Sequence, residues 1–205
     1  MLAFINKAVS DMNQGRKQQV TKPKTGHIRL ISGKHRGRKL PVLMAEGLRP
    51  TTDRVKETVF NWLMPYISQS HCLDCFTGAG SLGFEAVSRG AKQVTLIELN
   101  NVAVKQLQTN KARLKAGNVD IFQCDTVNYL QEKPKQTYDI VFVDPPFRKN
   151  LVTKTAQLLS QGWLAEQALV YVEMEAEAVT ILPNNWQLVK EKVAGQVAYR
   201  LYQIQ

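Results

Sequence analysis

Asp144-Pro145-Pro146-Phe147 places a carboxylate, two proline carbonyls and an aromatic ring within four residues. Successive prolines stiffen the backbone and offer carbonyls without competing N–H donors, while the carboxylate accepts hydrogen bonds. A planar group carrying an NH2 can then be held by its two hydrogens from Asp144 and the Pro145 carbonyl, with its face against Phe147. A nucleobase amine has that shape. The residues just before, Tyr138 to Val143, form an apolar run that predicts a buried strand, so the clamp stands at a strand's end. The same four residues also suit a strand closed by a plain proline turn.

A second site begins at His71 to Phe76, a short apolar run followed by Thr77-Gly78-Ala79-Gly80-Ser81-Leu82-Gly83 and a helical stretch. Strand, glycine turn and helix form a ligand-binding unit. Gly78 and Gly80 allow close backbone approach and Gly83 allows tight helix packing. The next strand, Gln93 to Glu98, ends in an acid twenty positions after Gly78, where a carboxylate can accept from ribose hydroxyls. A nicotinamide dinucleotide fits this spacing too. Asp74 argues against it, because a carboxylate beside a pyrophosphate repels it, whereas the same group suits the ammonium of S-adenosylmethionine. A third strand, Val119 to Gln123, leads to Cys124-Asp125, and Asp125 can accept from an adenine amine. Any one of these acids alone also reads as a solvated loop carboxylate.

Together these residues resemble the class I S-adenosylmethionine-dependent methyltransferases, in which D-x-F-x-G-x-G, an acid after the second strand and D-P-P-[FY] after the fourth recur. The chain is more specifically similar to the bacterial RsmD family through Ile31 to Pro41, Gly47 to Thr58 and Val193 to Tyr202. These stretches do not belong to methyltransferases at large. The resemblance implies a Rossmann-like α/β fold with a mostly parallel seven-stranded sheet, its last strand antiparallel, preceded by a small β element and a helix. It implies a cytoplasmic enzyme that methylates the 2-amino group of one guanine in 16S ribosomal RNA, with the assembled or assembling small subunit as partner. Asp144, Pro145, Pro146 and Phe147 then carry catalysis, and Asp74, Phe76, Gly78, Gly80, Glu98 and Asp125 hold S-adenosylmethionine. Thr77 and Ala79 stand where small residues are usual, and the resemblance starts only at about residue 26.

Composition agrees with a single substantial core in 205 residues, 44% of them hydrophobic. No apolar run approaches the length needed to span a bilayer, and the opening residues do not make a secretion signal, so a cytoplasmic protein is expected. Cys72 and Cys75 lack a second ligand pair nearby and would point to opposite faces of a strand, so no metal is expected. Net charge is +10, and residues 1–57 hold 13 Lys and Arg against 4 Asp and Glu, leaving the remainder nearly balanced. A localised basic surface matches a polyanion. Lys34, Arg36 and Arg38, with Lys39, stand among apolar residues and predict a hairpin turned at Ser32-Gly33 that touches RNA; Arg49, Thr51 and Arg54 are further candidates for phosphate or the cofactor's edge.

The expected order is a basic arm over 1–25, a β element and helix over 26–66 that contacts RNA, and a catalytic core over 67–205. Pro50-Thr51-Thr52 predicts a helix start, with Val55, Val59, Phe60 and Leu63 at helical spacing before Pro65. Strands and helices then alternate, with helices near 101–116, 126–131 and 151–161 and a strand at 168–173. Alternation predicts a parallel sheet covered on both faces. Trp186 to Val193 and Gln196 to Ile204 predict a final hairpin joined at Ala194-Gly195. Trp186, Tyr199 and Tyr202 read as core, and a monomer is expected. A DNA adenine-amino methyltransferase remains the alternative function, since D-P-P-[FY] also serves adenine; a nicotinamide-dependent oxidoreductase and a noncatalytic RNA-binding module are more distant rivals.

Overall fold

The computed structural model describes residues 25–43, 53–147 and 149–205. The expected basic arm, together with Arg49, Thr51 and the turn Pro50-Thr51-Thr52, lies outside the described residues.

The apolar runs are strands buried on both faces, which is why they lack a polar alternation. β3 (His71–Asp74), β4 (Gln93–Glu98), β5 (Val119–Gln123), β6 (Tyr138–Val143), β7 (Leu164–Glu175), β8 (Trp186–Ala194) and β9 (Val197–Ile204) form one sheet in the order β5-β4-β3-β6-β7-β9-β8. Every pairing from β5 to β7 is parallel, and β9 runs antiparallel to both β7 and β8. This is the Rossmann-like class I methyltransferase architecture. α1 (Asp53–Leu63) and α2 (Ser81–Ser88) cover one face, where Phe60, Leu82 and Phe84 meet Cys72, Phe142 and Tyr171. α4 (Thr126–Gln131) and α5 (Leu151–Leu159) cover the other, where Leu130, Val152 and Leu159 meet Cys75, Val141 and Val170. Cys72 and Cys75 therefore sit on opposite faces. Trp186, Tyr199 and Tyr202 are buried, as expected of core residues.

The remaining helix, α3 (Asn101–Leu114), begins with an Asn100 side chain accepting from the Val102 and Ala103 amides. β7 is longer than the 168–173 expected. Glu166 and Gln167 interrupt the apolar signal, and the register shifts there, with Gln167 at φ 59°. α5 stops at Leu159 rather than 161. The last turn falls at Gly195-Gln196, one residue later than expected, because Gly195 takes φ 61°.

β1 (Thr25–Arg29) and β2 (Lys39–Leu43) pair antiparallel as a separate hairpin. Ser32-Gly33 does not make a tight turn. The strands are joined by residues 30–38, containing a short 3-10 helix (Gly33–His35), and closed by the Gly37 amide on the Leu30 carbonyl at 2.8 Å. The reason is docking. Gly33, at φ +76°, lies so close to the Ser88 carbonyl that a Cβ would overlap it. The Ile31 and Ser32 amides donate to the Glu85 carboxylate at 2.8 and 3.1 Å, and the His35 amide donates to Ser88 Oγ at 3.0 Å. Ile28, Leu30, Leu40 and Val42 join the main core, so the hairpin is packed into the fold rather than appended to it.

Candidate active site

Parallel strands that all end on one side bring their following residues to one edge of the sheet. Asp125, Glu98, Asp74 and Asp144 stand at the ends of β5, β4, β3 and β6 in that spatial order, Glu98 and Asp74 as the last strand residues and Asp125 and Asp144 just beyond. β7 adds a fifth acid. Val143 pairs with Val172, so Glu173 lies one strand spacing from Asp144, on the side away from Asp74.

On the β3 side the glycine turn is tied to the acids. Gly78 and Gly80 take φ 51° and 82°, a region open to glycine at little cost. The Gly78 amide donates to Glu98 Oε2 and the Asn100 amide to Glu98 Oε1, each at 2.7 Å, so Glu98 fixes the loops after β3 and β4 against one another. Asp74 lies beneath the turn, 2% exposed, and accepts from the Gly83 amide at 3.1 Å. Burial drives its pKa up to about 7, the Gly83 amide opposes the rise, and the nearby Glu98 charge adds to it. A carboxylate held so far above its ordinary range is poised to gain from a cationic ligand. Asp125 Oδ1 caps α4 by accepting from the Val127 and Asn128 amides at 2.9 and 3.1 Å, so one of its oxygens is committed to the fold. Phe76 is half-buried and packs on the core beneath.

Pro145 is buried, Pro146 is exposed, and Phe147 is 43% exposed, an apolar ring presented to solvent beside the carboxylate. Burial pushes the Asp144 carboxyl well above the usual range, with Glu173 and then Asp74 adding like-charge repulsion. Glu173 is raised by its own burial, against which the Tyr171 hydroxyl, donating to Oε2 at 3.0 Å, favours the charged form. Pro145, Pro146, Phe147 and Glu173 share the wall of a cavity of about 280 Å³. Glu173 was not singled out from the sequence, although it ends the apolar run Ala168 to Val172 just as Asp144 ends its own strand. Such arrangements of adjacent acids with raised pKa values cluster at functional sites.

The basic candidates separate. α2 starts at the glycine turn and ends at Ser88, against which the 30–38 loop docks. Lys34, Arg36 and Arg38 are exposed on that loop, at the far end of a helix about 12 Å long from the turn. Arg38 also donates to the Arg113 carbonyl at 3.2 Å, near the end of α3. Arg54, by contrast, opens α1 at the clamp's end of the molecule, where it lines a cleft with Tyr199. Among the described residues no group of three His, Cys, Asp or Glu side chains is placed to share a metal ion, and no helix is long and apolar enough to cross a membrane.

The family model described as conserved hypothetical protein 95 matches residues 28–203. Ribosomal RNA small subunit methyltransferase D of Escherichia coli (strain K12) is 55% identical over 181 residues, covering 87% of this chain and 91% of that protein. The chain belongs to the RsmD family. The member of that name from Haemophilus influenzae is 52% identical over 87% of this chain and 94% of its own length. A solved structure described as the putative methyltransferase yhhF from Escherichia coli superposes with a TM-score of 0.81 at 55% identity, covering 88% of this chain and 99% of that one. The acids, glycine turn and clamp thus stand in the framework of a methyltransferase family.

Proposed function

We propose that this chain transfers a methyl group from S-adenosyl-L-methionine to the exocyclic 2-amino group of a guanine in 16S ribosomal RNA, acting as a cytoplasmic monomer on the assembled or assembling small subunit. The observation that carries this reading is the Asp144-Pro145 clamp standing beside Asp74 and Glu98 on adjacent strand ends, in a chain whose relatives are named ribosomal RNA small subunit methyltransferase D.

The residues present fit the cofactor. Asp74 is a buried carboxylate to which an ammonium would restore the charged form, Gly78 and Gly80 allow close backbone approach, and Glu98 and Asp125 are acceptors for ribose and adenine. When bound, S-adenosylmethionine supplies a strongly electrophilic methyl group carried on a sulfonium. The chain's own task is alignment, because a base amine is a poor nucleophile with its lone pair delocalised into the ring. Asp144 and the Pro145 carbonyl accept the two N–H groups and turn the nitrogen lone pair outward. As positive charge grows on that nitrogen, the Asp144 carboxylate stabilises it. The nitrogen that gains a methyl must lose one proton, and Asp144 is placed to receive it. Phe147 offers a stacking face to a base drawn from its neighbours. In this division of labour residues 26–66 contact RNA and 67–205 perform the transfer. Lys34, Arg36 and Arg38 meet phosphates away from the reacting base, Arg54 meets one nearer to it, and Arg49 and Thr51 complete the contact.

The test is transfer from radiolabelled S-adenosylmethionine to three acceptors side by side: small subunits from a strain lacking the activity, protein-free 16S RNA, and undermethylated DNA. Digestion to nucleosides is expected to return label as 2-methylguanosine, chiefly from the subunits. Label in methyladenine from DNA would replace the guanine reading, and no label in any acceptor would remove the catalytic one.

A further inference from the structure

Two of the stretches that set this chain apart from methyltransferases at large, Gly47 to Thr58 through its described residues 53–58 and Val193 to Tyr202, meet across one cleft of about 280 Å³. Its walls are Arg54, Val55 and Thr58 from α1 and Lys192, Val193 and Tyr199 from the β8–β9 hairpin. Nothing in the cofactor site or the amine clamp uses it. We infer that this cleft is a phosphate-binding subsite for the RNA backbone flanking the target base, with Lys192 and Arg54 as its cationic ligands. The inference rests on the RNA-methylating reading above and adds a site to it.

Register places the cleft beside the clamp. Glu173 follows the pair Val143↔Val172, Glu173 is paired with Tyr199, and Tyr199 with Lys192. Directly paired residues project to the same face of a sheet. Asp144, Glu173, Tyr199 and Lys192 thus form one row across β6, β7, β9 and β8, three strand spacings or about 14 Å in width. The cofactor acids Asp74, Glu98 and Asp125 extend from Asp144 in the other direction. A base seated at Asp144 therefore has its cofactor on one side and this cleft on the other, where the strand that carries the base must continue.

The charges suit a phosphate. Lys192 is half-buried, and its Nζ is steadied by a hydrogen bond to Thr58 Oγ1 at 3.2 Å, which leaves two of its three N–H groups for a ligand. Glu191, its neighbour, projects to the opposite face and is paired with Arg200 at 2.6 Å. Asp53, beside Arg54, pairs with Lys56 at 3.8 Å. Among the described residues neither Lys192 nor Arg54 is in an ion pair. Tyr199, 8% exposed, separates the cations from Glu173 and forms the floor. Two cations from elements far apart in sequence face one cleft, while the sequence-predicted Lys34, Arg36 and Arg38 lie at the far end of α2.

The test compares wild type with Lys192→Gln, Arg54→Gln, the double variant and the charge-keeping Lys192→Arg. Methyl transfer to small subunits is measured over a range of salt, and anisotropy of a labelled single-stranded RNA 12-mer is measured without cofactor. Each neutralising variant is expected to raise KM for subunits about tenfold and to lower the salt slope of RNA binding by about 0.7 to 0.9. The turnover number and the affinity for S-adenosylmethionine should stay within twofold, and Lys192→Arg should recover most of the loss. Unchanged KM and salt slope would overturn the inference. So would parallel loss of S-adenosylmethionine affinity, which would assign the cleft to the cofactor's carboxylate, or a melting-temperature drop not rescued by Lys192→Arg, which would make Lys192 structural. If wild type methylated no RNA, the functional reading would fail first, and the anisotropy measurement would still decide the cleft.

Discussion

Asp144→Ala should abolish most turnover while leaving the cofactor in place. The substitution removes one of the two acceptors for the amine and the only negative charge within the clamp's four residues. A hydrogen bond to a charged group contributes about 1.5–3 kcal/mol. Removing a preorganised group that stabilises developing charge costs about 2.7–4 kcal/mol. These contributions overlap, and the second is the larger. At about 1.4 kcal/mol per factor of ten, the expected fall in kcat is about 10²- to 10³-fold. The Pro145 carbonyl still holds one N–H, so the loss should stop short of the uncatalysed rate. Asp144→Asn keeps an acceptor but loses the charge, and should fall between, about 10- to 100-fold slower. Single-turnover transfer of radiolabel to small subunits measures the chemical step, and calorimetric titration with S-adenosylmethionine measures the cofactor. A kcat within fivefold of wild type for Asp144→Ala, or an equal loss of cofactor affinity, would refute the assignment.

Glu173→Gln removes a like charge that raises Asp144, so the acidic limb of the kcat/KM profile, where activity is lost as Asp144 gains a proton, should move to lower pH; an unmoved limb would show that Glu173 does not act on Asp144. Asp74, held at about 7 in the free protein, should be ionised by a bound ammonium, so S-adenosylmethionine binding should release close to one proton below pH 7, its affinity rising about tenfold per pH unit towards that value and flattening above it. Titration calorimetry in buffers of different ionisation heat reads this directly, and zero release at pH 6 would exclude it. Glu85, fully buried, accepts from the Ile31 and Ser32 amides and from Arg89 Nε at 2.7 Å. Neutralising one partner of a buried pair costs about 3–5 kcal/mol, so Glu85→Gln should lower the urea midpoint substantially; a loss below about 1 kcal/mol would mean that the Glu85 charge does not hold the hairpin in place.

What could be read from the chain alone was local. Gln93–Glu98 and Tyr138–Val143 begin and end where the apolar runs do, because a strand buried on both faces must be apolar almost throughout. Asp74, Glu98 and Asp144 were legible for the same reason, each closing a largely buried run, whereas Asp125 follows the half-exposed β5 and was legible only from its place after a third strand. Glu173 obeys the same pattern as the last residue of the strand expected at 168–173, but no motif around it marked it out, and the polar residues early in β7 hid only where that strand begins. Tertiary structure alone decided the rest. The basic loop extends to the far end of α2 because its amides find Glu85 more than fifty residues away. Lys192 meets Thr58 across 134 residues, a contact that no local period encodes. Hydrophobic period and turn chemistry act over a few residues and determined the elements; which charged side chains share a cleft depends on how those elements pack, and packing selects by shape and burial over the whole chain.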